Sequence, residues 1–294
     1  MQRDGGERGI EPRSIPSGER PHAADAAREQ TQRELYQLAG ERYHLNPQQV
    51  RALGDVGSFR VLDVEDLARS VYAGRRDLAW RDLLQLQRQD LVTLLNPRRH
   101  RGGATGRHHY VGLTKPGKRL TRRLLGKPAQ CLYVGGKKVR EMRHDAALYR
   151  VFQRAEAQLA DSGSRVLRVV LDNELKRALN RELAEAKRLT GEPRLARLQQ
   201  IAERHQLRVV GDQIPLPDLR VEYETQDGQP NRLDIEYLTE NYRARSIGQK
   251  AAAGFQLVAE RGVKGTVARA TRAADRGPGS RRPDDDSLAE RVAV

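Results

Sequence analysis

The sequence predicts an α/β (α+β) protein of two modest domains, each mixing helices with short strands and flanked by unstructured ends. Apolar residues recur at helical spacing along much of 28–88, the period of one buried helix face. The segments LVTLLN and YVGLT then flank a basic, Gly-rich loop, as two strands joined at a flexible tip do. In the second half, helix-spaced stretches alternate with compact apolar or strictly alternating runs. The chain has 294 residues and is 37% hydrophobic, enough for two cores of ordinary size at roughly 100 to 200 residues per domain.

Composition sets the expected boundaries. Residues 1–27 and 263–294 are rich in Gly, Pro, Arg, Ser and Asp, and too little apolar surface is available there to offset the entropy of ordering. Folded domains are expected over 28–126 and 140–262. A single Cys, Cys131, excludes an internal disulfide. The absence of a run of about 18 apolar residues excludes a membrane-spanning helix, and the first residues lack the apolar core of a secretory signal. The expected location is a reducing cytoplasm.

In the first domain, Arg28–Leu45 carries Leu35, Leu38 and Ala39 at helical spacing, and PQQVRALGDVGSF reads as a short helix behind Pro47. Asp63 is placed to cap a third helix with Glu65 and Asp66 in its first turn. That helix ends at Tyr72-Ala73-Gly74, and Asp77 is placed to cap the next, which carries Leu78, Leu83, Leu84 and Leu86. Helix, Gly-containing turn, helix, then two strands around a basic loop is the layout of a winged helix-turn-helix, spanning about 45–125.

Charge indicates what such a domain would meet. The chain's net charge is +15, and residues 91–140 hold thirteen Lys or Arg and no Asp or Glu. A concentration of that kind is the footprint of a surface for phosphate backbones. Double-stranded DNA is therefore the expected partner, with Arg76, Arg81, Gln85 and Arg88 facing it from the helix. Arg98, Arg99, Arg101 and Arg107 would contact it from the wing, with Lys115 and Lys118 beyond. The bland readings are a solvated basic face or a winged helix used for protein contacts. RNA ranks last, because aromatics make up only 4% of the chain and offer little for base stacking. His100, His108 and His109 lack a Cys or carboxylate at metal-ligand spacing and read as phosphate or groove contacts.

The second domain carries the sharper local signal. Pro217-Asp218-Leu219-Arg220-Val221-Glu222-Tyr223-Glu224 and Arg232-Leu233-Asp234-Ile235-Glu236-Tyr237-Leu238 alternate strictly around Asp227-Gly228, which predicts a β-hairpin. Pairing about Gly228 sets Asp218 opposite Leu238, Arg220 opposite Glu236 and Glu222 opposite Asp234. Asp218, Glu222, Asp234 and Glu236 then share one face. Clustered carboxylates require Arg or a cation to neutralise them, and oxygen-rich acidic sites suit Mg²⁺ or Mn²⁺. The competing reading is a half-exposed acidic sheet face with Arg220 and Arg232 in cross-strand ion pairs. Glu174 would either join the cluster or sit as a helix-start carboxylate. Tyr242 reads as a helix-packing residue rather than a nucleophile.

These residues carry a resemblance. Pro217-Asp218, Asp234-Ile235-Glu236 on the next strand and a following helix with Lys250 resemble the core of the PD-(D/E)xK restriction-endonuclease-like fold. With the N-terminal winged helix and a helix opening at His144-Asp145, residues 45–260 resemble the plasmid replication-relaxation family, which includes mobilisation proteins proposed to act as relaxases. The resemblance implies a DNA-cleaving or formerly DNA-cleaving site, with Asp218, Asp234 and Glu236 as metal ligands and a Mg²⁺ or Mn²⁺ cofactor. It further implies an origin region as the DNA target and other relaxosome or replication proteins as partners. The motif's usual lysine position falls on Glu236 or Leu238 here, so Lys250, Arg220, Arg243 or Arg245 would supply the positive charge. A closing strand is expected after the helix, yet GVKGTVARATRAAD is poorly apolar. The alternative function is a non-catalytic DNA-binding accessory or regulatory factor on an inactive nuclease-like scaffold.

Overall fold

The computed structural model describes residues 33–96, 108–126, 129–135, 139–240 and 242–259. Among these, eight helices and nine strands form an α+β protein of two compact units, the first extending to Met142 and the second beginning at Arg143.

The first unit opens with a hairpin, β1 (Glu34–Leu38) and β2 (Glu41–Leu45), where helical spacing predicts a helix. Period two prevails: Tyr36 pairs with Tyr43 across the ladder. The connection is Ala39-Gly40, with φ of 52° and 87°, and two residues of positive φ match the twist of a tight hairpin. Helix α1 (Pro47–Phe59) follows, its first turn closed by a reciprocal capping box between Asn46 and Gln49.

Next come β3 (Leu62–Asp63), α2 (Val64–Val71), α3 (Arg76–Arg88), β4 (Val92–Leu95), β5 (Tyr110–Leu113) and α4 (Lys115–Leu125). The three strands form an antiparallel sheet in the order β3-β5-β4. Asp63 caps α2 as its position predicts, accepting from Glu65 N. Asp77 does not cap α3: Arg75 holds that position, and Asp77 lies in the first turn, where its charge complements the helix dipole. Leu53, Val56, Leu67, Leu83, Leu86, Leu113 and Leu120 are buried and supply much of this unit's core.

Two glycines in this unit exist because main chain meets main chain. A Cβ on Gly117, in the first turn of α4, would lie 1.8 Å from the Leu91 carbonyl oxygen. Gly117→Ala is expected to cost about 3 kcal/mol, the upper end of overpacking penalties, read as a lowered urea midpoint. Gly112 in β5 meets Gly135, where an added Cβ would stand 2.5 Å from the Gly112 Cα. The segment 129–135 is thereby laid across the unit: Tyr133 N donates to Gly57 O at 2.8 Å and Gly135 N to Leu113 O at 2.9 Å.

Helix α5 (Val139–Asp161) leads into the second unit, which continues with β6 (Arg165–Leu171), α6 (Asp172–Ala186), α7 (Gly191–Arg204), β7 (Leu219–Glu224), β8 (Pro230–Leu238), α8 (Ala244–Ala252) and β9 (Gln256–Ala259). Its sheet runs β6-β7-β8-β9, antiparallel except for the parallel β8–β9 pair that α8 connects. The closing strand is Gln256–Ala259, upstream of GVKGTVARATRAAD.

The β7–β8 register differs from the expected one by two residues: Arg220 faces Asp234 and Glu222 faces Arg232. The turn explains the difference. Gly228, at φ 74°, donates to Thr225 O, and Thr225 N donates to Gln229 O, so the loop is centred on Asp227. A slip of two preserves the faces: Leu219, Val221 and Ile235 are buried on one side. The other side is covered as well. Leu238 joins a core cluster with Leu179 and Ala186 of α6, Leu198, Ile201 and Ala202 of α7, and Ile247 of α8, and the polar residues beside Leu238 are enclosed with it.

Candidate functional site

Glu236 is fully buried on that covered face, near the end of β8. Its Oε2 accepts from Asp218 N at 3.2 Å, while Asp218 Oδ2 accepts from Tyr237 N at 3.0 Å. Each carboxylate thus bonds the main chain of the other's strand, which holds the two acids together just beyond the end of the β7 ladder. Asp218 reaches solvent, its side chain being 16% exposed, and Glu236 lies behind it.

Lys250 and Tyr242 complete the site. Lys250 Nζ, from α8, stands 2.7 Å from Glu236 Oε1 and donates to Leu216 O at 2.6 Å. The Tyr242 hydroxyl donates to the same Glu236 oxygen at 2.8 Å. His144 Nε2 lies 3.5 Å from Asp218 Oδ1. Of the four residues offered for the missing lysine, Lys250 is the one bonded to the acidic pair. Arg243 and Arg245 are exposed, and Arg220 is engaged elsewhere. Tyr242 lies just beyond the hairpin motif and His144 far before it in sequence, and only the fold turns both side chains to the acidic pair.

Burial pushes the Glu236 carboxyl above the usual carboxylate range, and the Asp218 charge pushes it further, against the pull of Lys250 and Tyr242. Burial, followed by the same two carboxylates, raises the Tyr242 phenol as well. A carboxyl whose folded pKa is raised favours the fold when protonated. Its contribution is fully present below the ordinary carboxylate value and is lost as pH rises through the raised one. In metal-free buffer, lowering pH from 7.5 to 5 is expected to raise the urea midpoint of the wild type relative to Glu236→Gln, which cannot take up the proton.

Asp234 is occupied differently. Arg220 Nε and Nη2 donate to its two oxygens at 2.6 and 2.9 Å, and the same guanidinium donates to His205 O and Gln206 O. Arg232 Nε stands 3.8 Å from Asp234 Oδ2 as well, so the cross-strand ion pairs of the competing reading are present, on a face that is enclosed at Arg220 and Asp234 and half-exposed at Glu222 and Arg232. Arg168 pairs with Glu174 and approaches Glu222 at 3.5 Å, beside a cavity of about 270 Å³. Glu174 therefore bonds Arg168, and Glu222 lies within ion-pair distance of it. Among the described residues, no group of three or more His, Cys, Asp and Glu is arranged for a metal. The Asp218–Glu236 pair still suits a hard cation, since Mg²⁺ is commonly held by one or two carboxylates together with water and substrate phosphate.

In the first unit, Arg81, Arg88, Lys115, Arg119, Arg122 and Arg123 are exposed, and Lys118 is half-buried. Arg76 is exposed and pairs with Glu65 at 2.6 Å. Gln85 does not face outward: its Oε1 accepts from Gln49 Nε2 of α1 at 3.2 Å. Arg98, Arg99, Arg101 and Arg107 lie outside the described residues. His108 Nδ1 is 2.7 Å from Asp63 Oδ2 while its side chain stays exposed, and His109 packs edge-on against Trp80 of α3; His100 lies outside the described residues. No helix among the described residues is long and apolar enough to cross a membrane. No family model, curated protein or solved structure matches the chain.

Proposed function

We propose that this chain is a DNA-binding protein with a phosphodiester-cleaving site at Asp218, Glu236 and Lys250. The observation that carries the reading is the 2.7 Å contact between Lys250 and a buried Glu236 tied to Asp218. Two acids, one just before β7 and one in β8, meet a lysine from α8; this supports the PD-(D/E)xK resemblance with the lysine displaced from its usual strand position to the helix. The order helix, short strand, helix, turn, helix, β-hairpin in the first unit supports a winged helix-turn-helix, and its exposed arginines and lysines supply the charge for duplex DNA. The replication-relaxation resemblance implies a plasmid or integrative mobile element, with the protein acting in mobilisation as an origin-nicking relaxase beside other relaxosome or replication proteins.

Asp218 and Glu236 would hold Mg²⁺ or Mn²⁺; Asp234, the third expected ligand, has both oxygens on Arg220. When bound, the ion supplies positive charge at the scissile phosphate and its attacking and leaving oxygens. Lys250 neutralises charge at the buried carboxylate. Tyr242 fixes the Glu236 carboxylate through its hydroxyl. A second reading rests on that same ion pair: Lys250 already neutralises Glu236, which suits an inactive scaffold serving a non-catalytic DNA-binding factor.

The test is incubation of supercoiled plasmid carrying the element's origin region with the full chain, in Mg²⁺, in Mn²⁺ and in EDTA. Cation-dependent relaxed circles are the expected result. Retarded but intact DNA in all three buffers would overturn the cleaving site and leave the DNA-binding factor.

A further inference from the structure

The outward stripe of α3 is not uniformly basic. Residues 77, 81, 84 and 88 are spaced by four, three and four, so they line one helix face, and all four are exposed. Leu84 is 41% exposed. The opposite face is committed to the core through Ala79, Asp82, Leu83 and Leu86, so the helix cannot roll to hide the leucine.

A face that only held phosphates would gain from every added lysine or arginine and lose from an acid or a large apolar group. Leu84 carries that cost in full, and Asp77 carries it less the gain from the helix dipole. In the major groove both have partners: a carboxylate accepts from cytosine N4, and an apolar side chain packs on the thymine C5-methyl. Arg81 and Arg88, on either side of Leu84, match guanine O6 and N7. Scattered exposed leucines are ordinary on protein surfaces. This one lies between two arginines on the helix that follows the Gly74 turn, in a unit whose exposed Lys115, Arg119, Arg122 and Arg123 complement a polyanion.

We propose that Leu84 of α3 reads a thymine methyl in the major groove of duplex DNA. The inference rests on the DNA-binding reading and deepens it: the protein discriminates among sequences, with Asp77, Arg81 and Arg88 as the flanking determinants.

The test uses the full chain at one fixed salt concentration. Bound duplexes are selected from a random pool, and each thymine of the selected site is then replaced by deoxyuridine, which lacks only the methyl. One replacement is expected to weaken wild-type binding roughly three- to fivefold, the value of one buried methyl-sized group. Leu84→Ala is expected to bind the thymine and deoxyuridine duplexes alike. Wild-type indifference to every methyl would overturn the proposal, as would Leu84→Ala retaining the wild-type preference. Duplex binding without any sequence enrichment would also overturn it, leaving the DNA-binding reading in place. No duplex binding, there or in a low-salt repeat, would overturn both.

Discussion

Glu236→Ala is expected to lower cation-dependent relaxation of supercoiled DNA by at least about a hundredfold, the usual cost of removing one charge-stabilising group from a site. Retardation of the same DNA is expected to be unchanged. The substitution removes the oxygen shared by Lys250 and Tyr242 and the one that accepts from Asp218 N, so the site loses the acid around which it is built. The basic surface of the first unit keeps every charge. Retardation and plasmid relaxation, measured on the same preparations, separate the two functions. A parallel loss of both would contradict this division between the units.

Arg220→Met is expected to lower stability by about 3 to 5 kcal/mol, the cost of stranding one partner of a buried ion pair. The guanidinium bonds both oxygens of Asp234 and the carbonyls of His205 and Gln206, and a thioether replaces none of these contacts. Urea midpoints give the size of the loss. Combining Arg220→Met with Asp234→Leu is expected to recover most of it, since apolar residues of similar volume often replace a buried pair without penalty. The same double variant assigns a role to Asp234. If that carboxylate only holds Arg220, the refolded variant still relaxes plasmid; if it holds the cation, the variant folds but does not cleave.

Much of this site can be read in the sequence, because strand alternation is insensitive to the error that occurred. The turn centre moved from Gly228 to Asp227, every cross-strand partner changed, and no side chain changed face. Asp218, Glu236 and Lys250 therefore meet as their positions suggest. Alternation cannot reveal what covers a face, and Arg220 and Glu236 look solvent-facing until α6, α7 and α8 are laid over them. Nor does it mark Tyr242, which follows the strand, or His144, on a helix at the start of the unit.

In the first unit, Leu35 and Leu38 suit a helix by spacing, yet Glu34–Leu38 and Glu41–Leu45 alternate about Ala39-Gly40. The Gly after a small residue was the stronger signal, because it permits the positive φ of a tight turn. Gln85 follows the polar side of α3 on a helical wheel but belongs to its flank. There Gln49 of α1, distant in sequence, binds it, and only tertiary structure could reveal that partner.

The strap at 129–135 decides where this chain can be divided. It lends two main-chain donors to carbonyls of α1 and β5, and it lays Leu132 and Tyr133, both buried, over the unit. A fragment ending at Gly126, where α4 stops, would strip those carbonyls and uncover an apolar seam. An autonomous N-terminal piece has to run through Gly135, so residues that look like a linker in the sequence complete the core of the unit they leave.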